Sequence, residues 1–279
     1  MKNKYLPFLF CFILIIYGCA RKGLPGSTSS GKSSSGNSSG LHILCYNIHH
    51  ANPPSKPDFI DVAAIAKVIK QQAPDLVALQ EVDVYTNRSG KTLHEAQEIA
   101  RLSDMPYYYF AKAIDHDGGD YGVAILSKLP MSEMKNTPLP TADGTNGEHR
   151  TLATAVITVS NGKKIVFACT HLDAQRPDTN RLLQINKIVE VLNKEKLPLV
   201  IAADFNSTPS SRIINQLDKY FTRSCLVNCG FTIPVNNPRN TIDFVAYKPS
   251  AAFTVAEHKI VDEKYASDHL PVSVVLNVK

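Results

Sequence analysis

The chain lacks a charge surplus where a fold can form. Its 30 Lys and Arg against 25 Asp and Glu give a formal net charge of +5. Lys2, Lys4, Arg21, Lys22 and Lys32 all precede residue 41, and no acidic residue does. Residues 41–279 are therefore neutral. That argues against an extended nucleic-acid footprint, which needs a basic face, and leaves a local basic cleft open. Cysteines at zinc spacing are also missing: of 6 cysteines, only Cys225 and Cys229 form a close pair, and a structural zinc site draws on two such pairs. Gly-x-Ser-x-Gly is absent from residues 41–279, which removes the strained turn that presents a nucleophilic serine. The apolar run over residues 6–17 is broken by Pro7 and falls short of the roughly 20 residues of a membrane-spanning helix. Internal repeats are not evident.

What is present divides the chain in three. Residues 1–19 read as an export signal, with a basic start, a short apolar run and a small residue, Gly18, before Cys19. Ile16-Tyr17-Gly18-Cys19 resembles a bacterial lipobox, in which Cys19 becomes the lipid-bearing first residue. Tyr17 is bulky for its position there, so ordinary cleavage and an uncleaved anchor are the alternatives. Residues 20–40 are rich in Gly and Ser and read as a flexible tether. Gly31-Lys32-Ser33 within them has neither the strand before it nor the helix after it that a phosphate loop requires. Residues 41–279 then form one domain, long enough for a single sizeable core. An exported chain meets an oxidising compartment, so a Cys225–Cys229 disulfide and a free pair are equally expected. Cys45 and Cys169 sit in apolar strand patterns and read as buried thiols.

The organising stretch is Leu199-Val200-Ile201-Ala202-Ala203-Asp204-Phe205-Asn206. An uncharged apolar run of this length reads as a strand buried on both faces. It delivers Asp204 and Asn206, two apart and so on one side, at its end. Strands are also expected over 41–46, 75–80, 107–111, 121–126, 150–158, 163–170, 241–247, 252–257 and 271–278. Asn161-Gly162 marks a hairpin. Helices are expected over 58–72, 92–103 and 179–193, with a fourth starting near Pro209 under a Ser207 or Thr208 cap. In the first, Phe59, Val62, Ile65, Ala66 and Ile69 share a face. Residues 115–120 read as a polar loop. Many strands with few helices imply an α+β fold of two packed sheets flanked by helices.

Polar groups collect at strand ends: Asn47; Gln80-Glu81; Thr170-His171-Leu172-Asp173; Asp204 and Asn206; and Ser267-Asp268-His269 before the last strand. Asp243 adds a carboxylate between Ile242 and Phe244, where a charge needs a partner. Carboxylates without a thiolate or histidine cluster suit a hard, oxygen-seeking cation such as Mg²⁺ or Mn²⁺. Such ions usually serve phosphate chemistry. His49 and His50 read as ordinary loop residues, Asp83 and Arg88 as a salt-bridged loop, and His116 as part of a solvated turn. Asp173 is expected to orient His171 or to cap the helix after it.

Asn47, Leu79-Gln80-Glu81-Val82, the segment Tyr121-Gly122-Val123-Ala124-Ile125-Leu126-Ser127, Thr170-His171-Leu172, Ala203-Asp204-Phe205-Asn206-Ser207-Thr208-Pro209, Ile242-Asp243-Phe244 and Ser267-Asp268-His269-Leu270-Pro271-Val272 occur in the order found in the endonuclease/exonuclease/phosphatase family. Across nearly all of residues 41–279 the chain resembles that family. The resemblance implies a deoxyribonuclease I-like, four-layer α/β/β/α sandwich. It also implies phosphoester hydrolysis, most of all of diesters. Glu81 would be the main metal ligand, with Asn47 and Asp268 nearby. Asp204, helped by Asn206, would orient or deprotonate the attacking water. His269, its ring held by Asp243, and His171 would face the phosphate, and Arg150 matches a phosphate-binding position.

The resemblance leaves the substrate open among DNA, RNA, phospholipid, and sugar or inositol phosphates. A basic groove-entering loop, expected for DNA, is not evident. The aromatic segment 107–110, the candidate lipid hairpin, reads instead as a core strand. A phosphomonoesterase is the runner-up. A non-catalytic binding module on the same fold would have lost a ligand or a water-activating residue, and none is lost. A monomer tethered outside the cytoplasm through Cys19 completes the expectation.

Overall fold

The computed structural model describes Met1 and residues 40–279. The export signal, the tether and the Cys19 lipid site fall, apart from Met1 and Gly40, outside the described residues. Two six-stranded mixed sheets form the centre. In the first, the order is β11 (Phe253–Ile260), β12 (Val272–Val278), β1 (Leu41–Asn47), β2 (Leu76–Val84), β4 (Gly119–Ser127), β3 (Tyr107–His116). In the second it is β5 (Met131–Leu139), β6 (Arg150–Thr158), β7 (Lys164–His171), β8 (Leu199–Asp204), β10 (Asp243–Lys248), β9 (Thr222–Arg223).

Alternation along each central strand explains the layering, because successive side chains leave opposite faces. Ile43, Cys45 and Ala78 from the first sheet meet Ala155, Phe167, Ala202 and Val245 from the second in the inter-sheet core. Leu44, Tyr46, Val77 and Leu79 point the other way, onto α1 (Val62–Gln72) and α2 (Glu95–Leu102). Val166, Ala168, Ile201 and Ala203 point onto α3 (Thr179–Leu192) and α4 (Arg212–Asp218). Helices therefore cover both outer faces, and the expected α/β/β/α sandwich is the observed one. Strands buried twice over need apolar residues at every position, which is why they read as unbroken runs.

The boundaries differ where local chemistry intervenes. The first helix opens at Val62 rather than residue 58, because the Asp61 carboxylate accepts the Ala64 N–H at 2.9 Å as an N-cap. Phe59, expected on its buried face, precedes the helix and is exposed. The fourth helix opens at Arg212 under a Ser211 cap, beyond the Ser207 or Thr208 expected there. Residues 115–120 are not a loop: β3 and β4 pair up to His116 opposite Gly119. They turn through Asp117 and Gly118, both with positive φ, the requirement of a tight hairpin. The segment 107–110 lies on the edge strand β3 and is only partly a core strand: Tyr107 and Tyr108 are exposed, while Tyr109 and Phe110 pack, partly buried, against the inter-sheet and outer cores. Strand β5 was not expected at all. Cys225 and Cys229 are disulfide-bonded, and Cys45 and Cys169 are free and buried. Among the described residues, no helix is long and apolar enough to cross a membrane.

Candidate active site

Strand register gathers the polar ends. β1 and β2 run parallel, with Asn47 opposite Gln80. β7 and β8 run parallel, with His171 opposite Asp204, and β10 returns antiparallel, with Asp243 opposite Asp204. β12 pairs antiparallel with β1, so the loop preceding it arrives beside Asn47. There the Ser267 hydroxyl donates to the Asn47 carbonyl at 2.7 Å.

Asp204 is the hub, and it is 1% exposed. Asn47 Nδ2 donates to its Oδ2 at 3.1 Å, and the Asn206 backbone N–H donates to its Oδ1 at 2.7 Å. His171 Nε2 and His269 Nε2 stand 3.4 and 3.8 Å from Oδ2. Burial, then the charge of Asp243, raises the Asp204 pKa. Asn206 does not project from the strand as the i, i+2 partner of Asp204. Its φ of +47° bends the chain back, a conformation asparagine tolerates. Its Nδ2 then donates to the Leu172 carbonyl and lies 2.9 Å from His171 Nε2.

The two histidines differ in charge state. Burial works to lower the His269 pKa, but Asp243, whose Oδ2 is 2.9 Å from Nδ1, and then Asp204 and Asp268, raise it to about 10. His269 is therefore an imidazolium at neutral pH. His171 goes the other way: burial, then the charges of Arg150 and His269, hold it well below the usual value. Arg150 Nη1 can only donate, and it does so to His171 Nδ1 at 3.0 Å. Arg150 is buried, lies 2.9 Å from Glu148 Oε1, and acts on His171 directly.

Glu81 and Asp268 occupy more open ground. β2 does not end at Glu81 but continues to Val84 through a bulge between Leu79 and Val82. Glu81 sits in that bulge with φ +57°. Bulges re-aim a side chain, and a non-glycine residue in this region stores strain that clusters at functional sites. Glu81 Oε1 accepts from Asn47 Nδ2 at 2.9 Å, while Asn47 Oδ1 accepts the His49 N–H at 3.1 Å. Glu81 is thus a partly exposed carboxylate oriented by Asn47, with Asp268 also partly exposed in the loop before β12, and carboxylate oxygens of this kind suit a hard divalent cation. Asp204, Asp243 and His269 also offer ligand-type atoms within 4.8 Å of one another. There the imidazolium already supplies the positive charge, and its Nδ1 is engaged by Asp243.

Beyond Glu81 opens a pocket of about 170 Å³ lined by His49, His50, Arg88, His116, Tyr121 and Glu148. His49 and His50 are thus not free loop residues, and His116 is not in a solvated turn. The adjacent His-His two residues after the polar strand end at Asn47 was the available signal. Arg88 binds Asp83 through Nε and Nη2 at 2.7 and 2.9 Å, the expected salt-bridged loop. Asp173 accepts from the Glu148 N–H and from Asn180 Nδ2 on α3, both at 3.2 Å.

Comparisons with known proteins agree with this geometry. No curated protein sequence matches. Among solved structures, an endonuclease/exonuclease/phosphatase from Beutenbergia cavernae superposes with a TM-score of 0.71 at 22% identity, over 85% of this chain and 71% of that one. A mannosyl-6-phosphatase from Bacteroides thetaiotaomicron does so at 0.66 and 18%, over 85% and 99%. The human Nocturnin catalytic domain, solved with a bound sulfate, does so at 0.63 and 20%, over 86% and 95%. At these identities the likeness is one of fold. The sequence model of the Endonuclease/Exonuclease/phosphatase family matches residues 44–269, a span holding every residue of the site from Asn47 to His269. The chain belongs to that family, and its class of chemistry is phosphoester hydrolysis.

Proposed function

We propose that the chain is an exported, divalent-metal-dependent phosphodiesterase that attacks phosphorus with an activated water. The observation that carries this reading is Asp204. It is a carboxylate withdrawn from solvent, fixed by Asn47 and the Asn206 N–H, and flanked by one neutral and one charged imidazole. Burial makes it a stronger base than a surface aspartate. It takes the proton of the attacking water, and Asn206 fixes that water's place. His269, kept cationic by Asp243, faces the charge that develops on the phosphate, and the His171 ring stands on the same side. Arg150 holds the His171 ring in place through Nδ1. Glu81, Asn47 and Asp268 hold Mg²⁺ or Mn²⁺, which when bound polarises a phosphate oxygen and offsets its charge. No covalent enzyme intermediate is needed.

A phosphomonoesterase acting on sugar or inositol phosphates is the second reading. The pocket beside Glu81, at about 170 Å³, suits a small leaving group better than a polymer, and one fold relative is a mannosyl-6-phosphatase. A binding module that has lost turnover is disfavoured, because no group of the proposed machinery is missing. The substrate is a phosphate ester, with nucleic acid among the candidates. A Cys19 lipid would tether the monomeric domain to the periplasm-facing or outer side of a bacterial membrane, although one acyl chain alone anchors only marginally.

The test compares Mg²⁺-dependent hydrolysis of bis-p-nitrophenyl phosphate and p-nitrophenyl phosphate by the purified protein, with EDTA and Glu81→Ala as blanks. Faster diester cleavage supports the first reading, and faster monoester cleavage the second. Activity retained in both blanks at the level of the untreated native protein would overturn the metal assignment.

A further inference from the structure

The His-rich pocket has a second chemistry. We propose that His49, His50 and Glu81 form a second metal site, for an imidazole-seeking first-row dication such as Zn²⁺ or Co²⁺, beside the oxygen-lined site of Asn47, Glu81 and Asp268. The three residues offer ligand atoms within 4.8 Å of one another, and all three are partly exposed to the pocket. Two imidazoles and a carboxylate are a donor set that such ions favour and Mg²⁺ does not.

Two further observations point to a ligand. His49 Nδ1 lies 2.9 Å from the Asn52 carbonyl, which can only accept. Nδ1 therefore carries the proton, and Nε2 is left with a free lone pair. A ligating histidine is held in this way by its other nitrogen. His50 Nδ1 is buried with no hydrogen-bond partner, an unfavourable state for a polar atom. The backbone is also held in an unusual form: His49, His50 and Ala51 have φ of +47°, +42° and +54°. Three successive left-handed residues without a glycine are costly, and they place the two rings 4.5 Å apart between centroids.

An anion is the obvious competitor, because Arg88 lines the same pocket. Its guanidinium is already bound by both oxygens of Asp83. Glu81 and Glu148 also put two carboxylates on the wall. Glu81 is shared with the oxygen-lined site, so the experiment must separate the two.

Co²⁺ titrated into the EDTA-stripped full chain reports nitrogen ligation through its visible ligand-field bands. The expected result is a saturable band that Zn²⁺ abolishes. His49→Asn and His50→Asn, which keep a residue tolerant of positive φ, should each weaken Co²⁺ more than about tenfold, since even outer-shell partners of a metal contribute that much. Asp268→Asn should leave the band intact while weakening Mg²⁺ binding. Native Co²⁺ affinity in both histidine variants would overturn the proposal, as would loss of the band in Asp268→Asn alone. If a histidine variant unfolds, proton NMR of the native chain decides. Sub-stoichiometric Co²⁺ should shift the C2–H signals of His49 and His50 first, and first shifting of His171 and His269 would overturn the site. Loss of diester hydrolysis with an intact Co²⁺ band would count against the phosphodiesterase reading and not against this one.

Discussion

The two walls of the site are built on different principles. The wall from the second sheet, with Asp204, His171 and Asp243 joined by His269, is closed. Each of these residues is under 5% exposed, and each is fixed by a neighbour that the strand ends bring beside it. The wall from the first sheet, with Glu81, His49 and His50, is open and held by unusual backbone: a bulge and four positive φ values from His49 to Ala51 and at Glu81. The closed wall sets protonation states by burial and hydrogen bonds. The open wall leaves lone pairs exposed for an ion to complete. A site that must store a proton and also admit a cation needs both.

Substitutions separate the walls most sharply at their centres. Asp204→Asn keeps the shape of the closed wall but removes the base, so kcat should fall by about 10³–10⁴-fold with KM little changed. Glu81→Ala should remove turnover to a similar depth, but through loss of Mg²⁺ affinity measured by calorimetry. Equal Mg²⁺ affinity in the two variants would erase the distinction drawn here. Asp243→Asn should cost less, about 10²–10³-fold, because His269 remains but is no longer held as a cation. A variant as active as the native protein would remove His269 from the phosphate side.

Stability should divide the walls in the opposite sense. Phe167, fully buried between the sheets beneath the closed wall, should cost about 3–5 kcal/mol on truncation to alanine. His50→Gly relieves a left-handed backbone and should gain up to about 1 kcal/mol, or a few degrees in Tm. A loss of stability there would mean that the imidazole's contacts outweigh the strain.

The closed wall was legible in the sequence because it follows from apolar runs that end in polar residues. A strand buried on both faces is apolar along its length, and Asp204, His171 and Asn47 mark where the apolar run gives way to buried polar groups. The open wall was not, because positive φ leaves no mark on histidine or glutamate. The same blindness made Glu81 look like a strand end when β2 runs on through the bulge. Strand β5 escaped for another reason. It is an edge strand with six exposed residues and Pro138 in it, so it shows neither an apolar run nor alternation. Strand-end patterning already singled out Glu81 and Asp268, and the family motifs added the metal-binding role expected of them.

Beneath the open wall, two carboxylates test how its loop is held. Asp83 is buried, which works to raise its pKa, but Arg88, Ser89 and Thr86 bind it and leave it lowered. Glu95 also accepts a bond, from the Asp83 N–H at 2.7 Å, yet burial and then the Asp83 charge raise its pKa well above the usual value. The signs follow by linkage. Asp83 adds stability that is present above its unfolded pKa of about 3.9 and is lost as pH falls through its lower folded value. Glu95 in the folded state binds a proton that the unfolded chain has released above about 4.3, so its contribution declines as pH rises from there toward the folded value. Glu95→Gln, which keeps the shape and the acceptor, should flatten that decline in denaturation midpoints measured across the weakly acidic to neutral range. Its effect should be the smallest of those considered, and Mg²⁺-dependent turnover should be unaltered by it. An unchanged pH profile would mean that Glu95 is ionised in the folded protein, and that the loop carrying Arg88 rests on a buried charge rather than on a neutral acid.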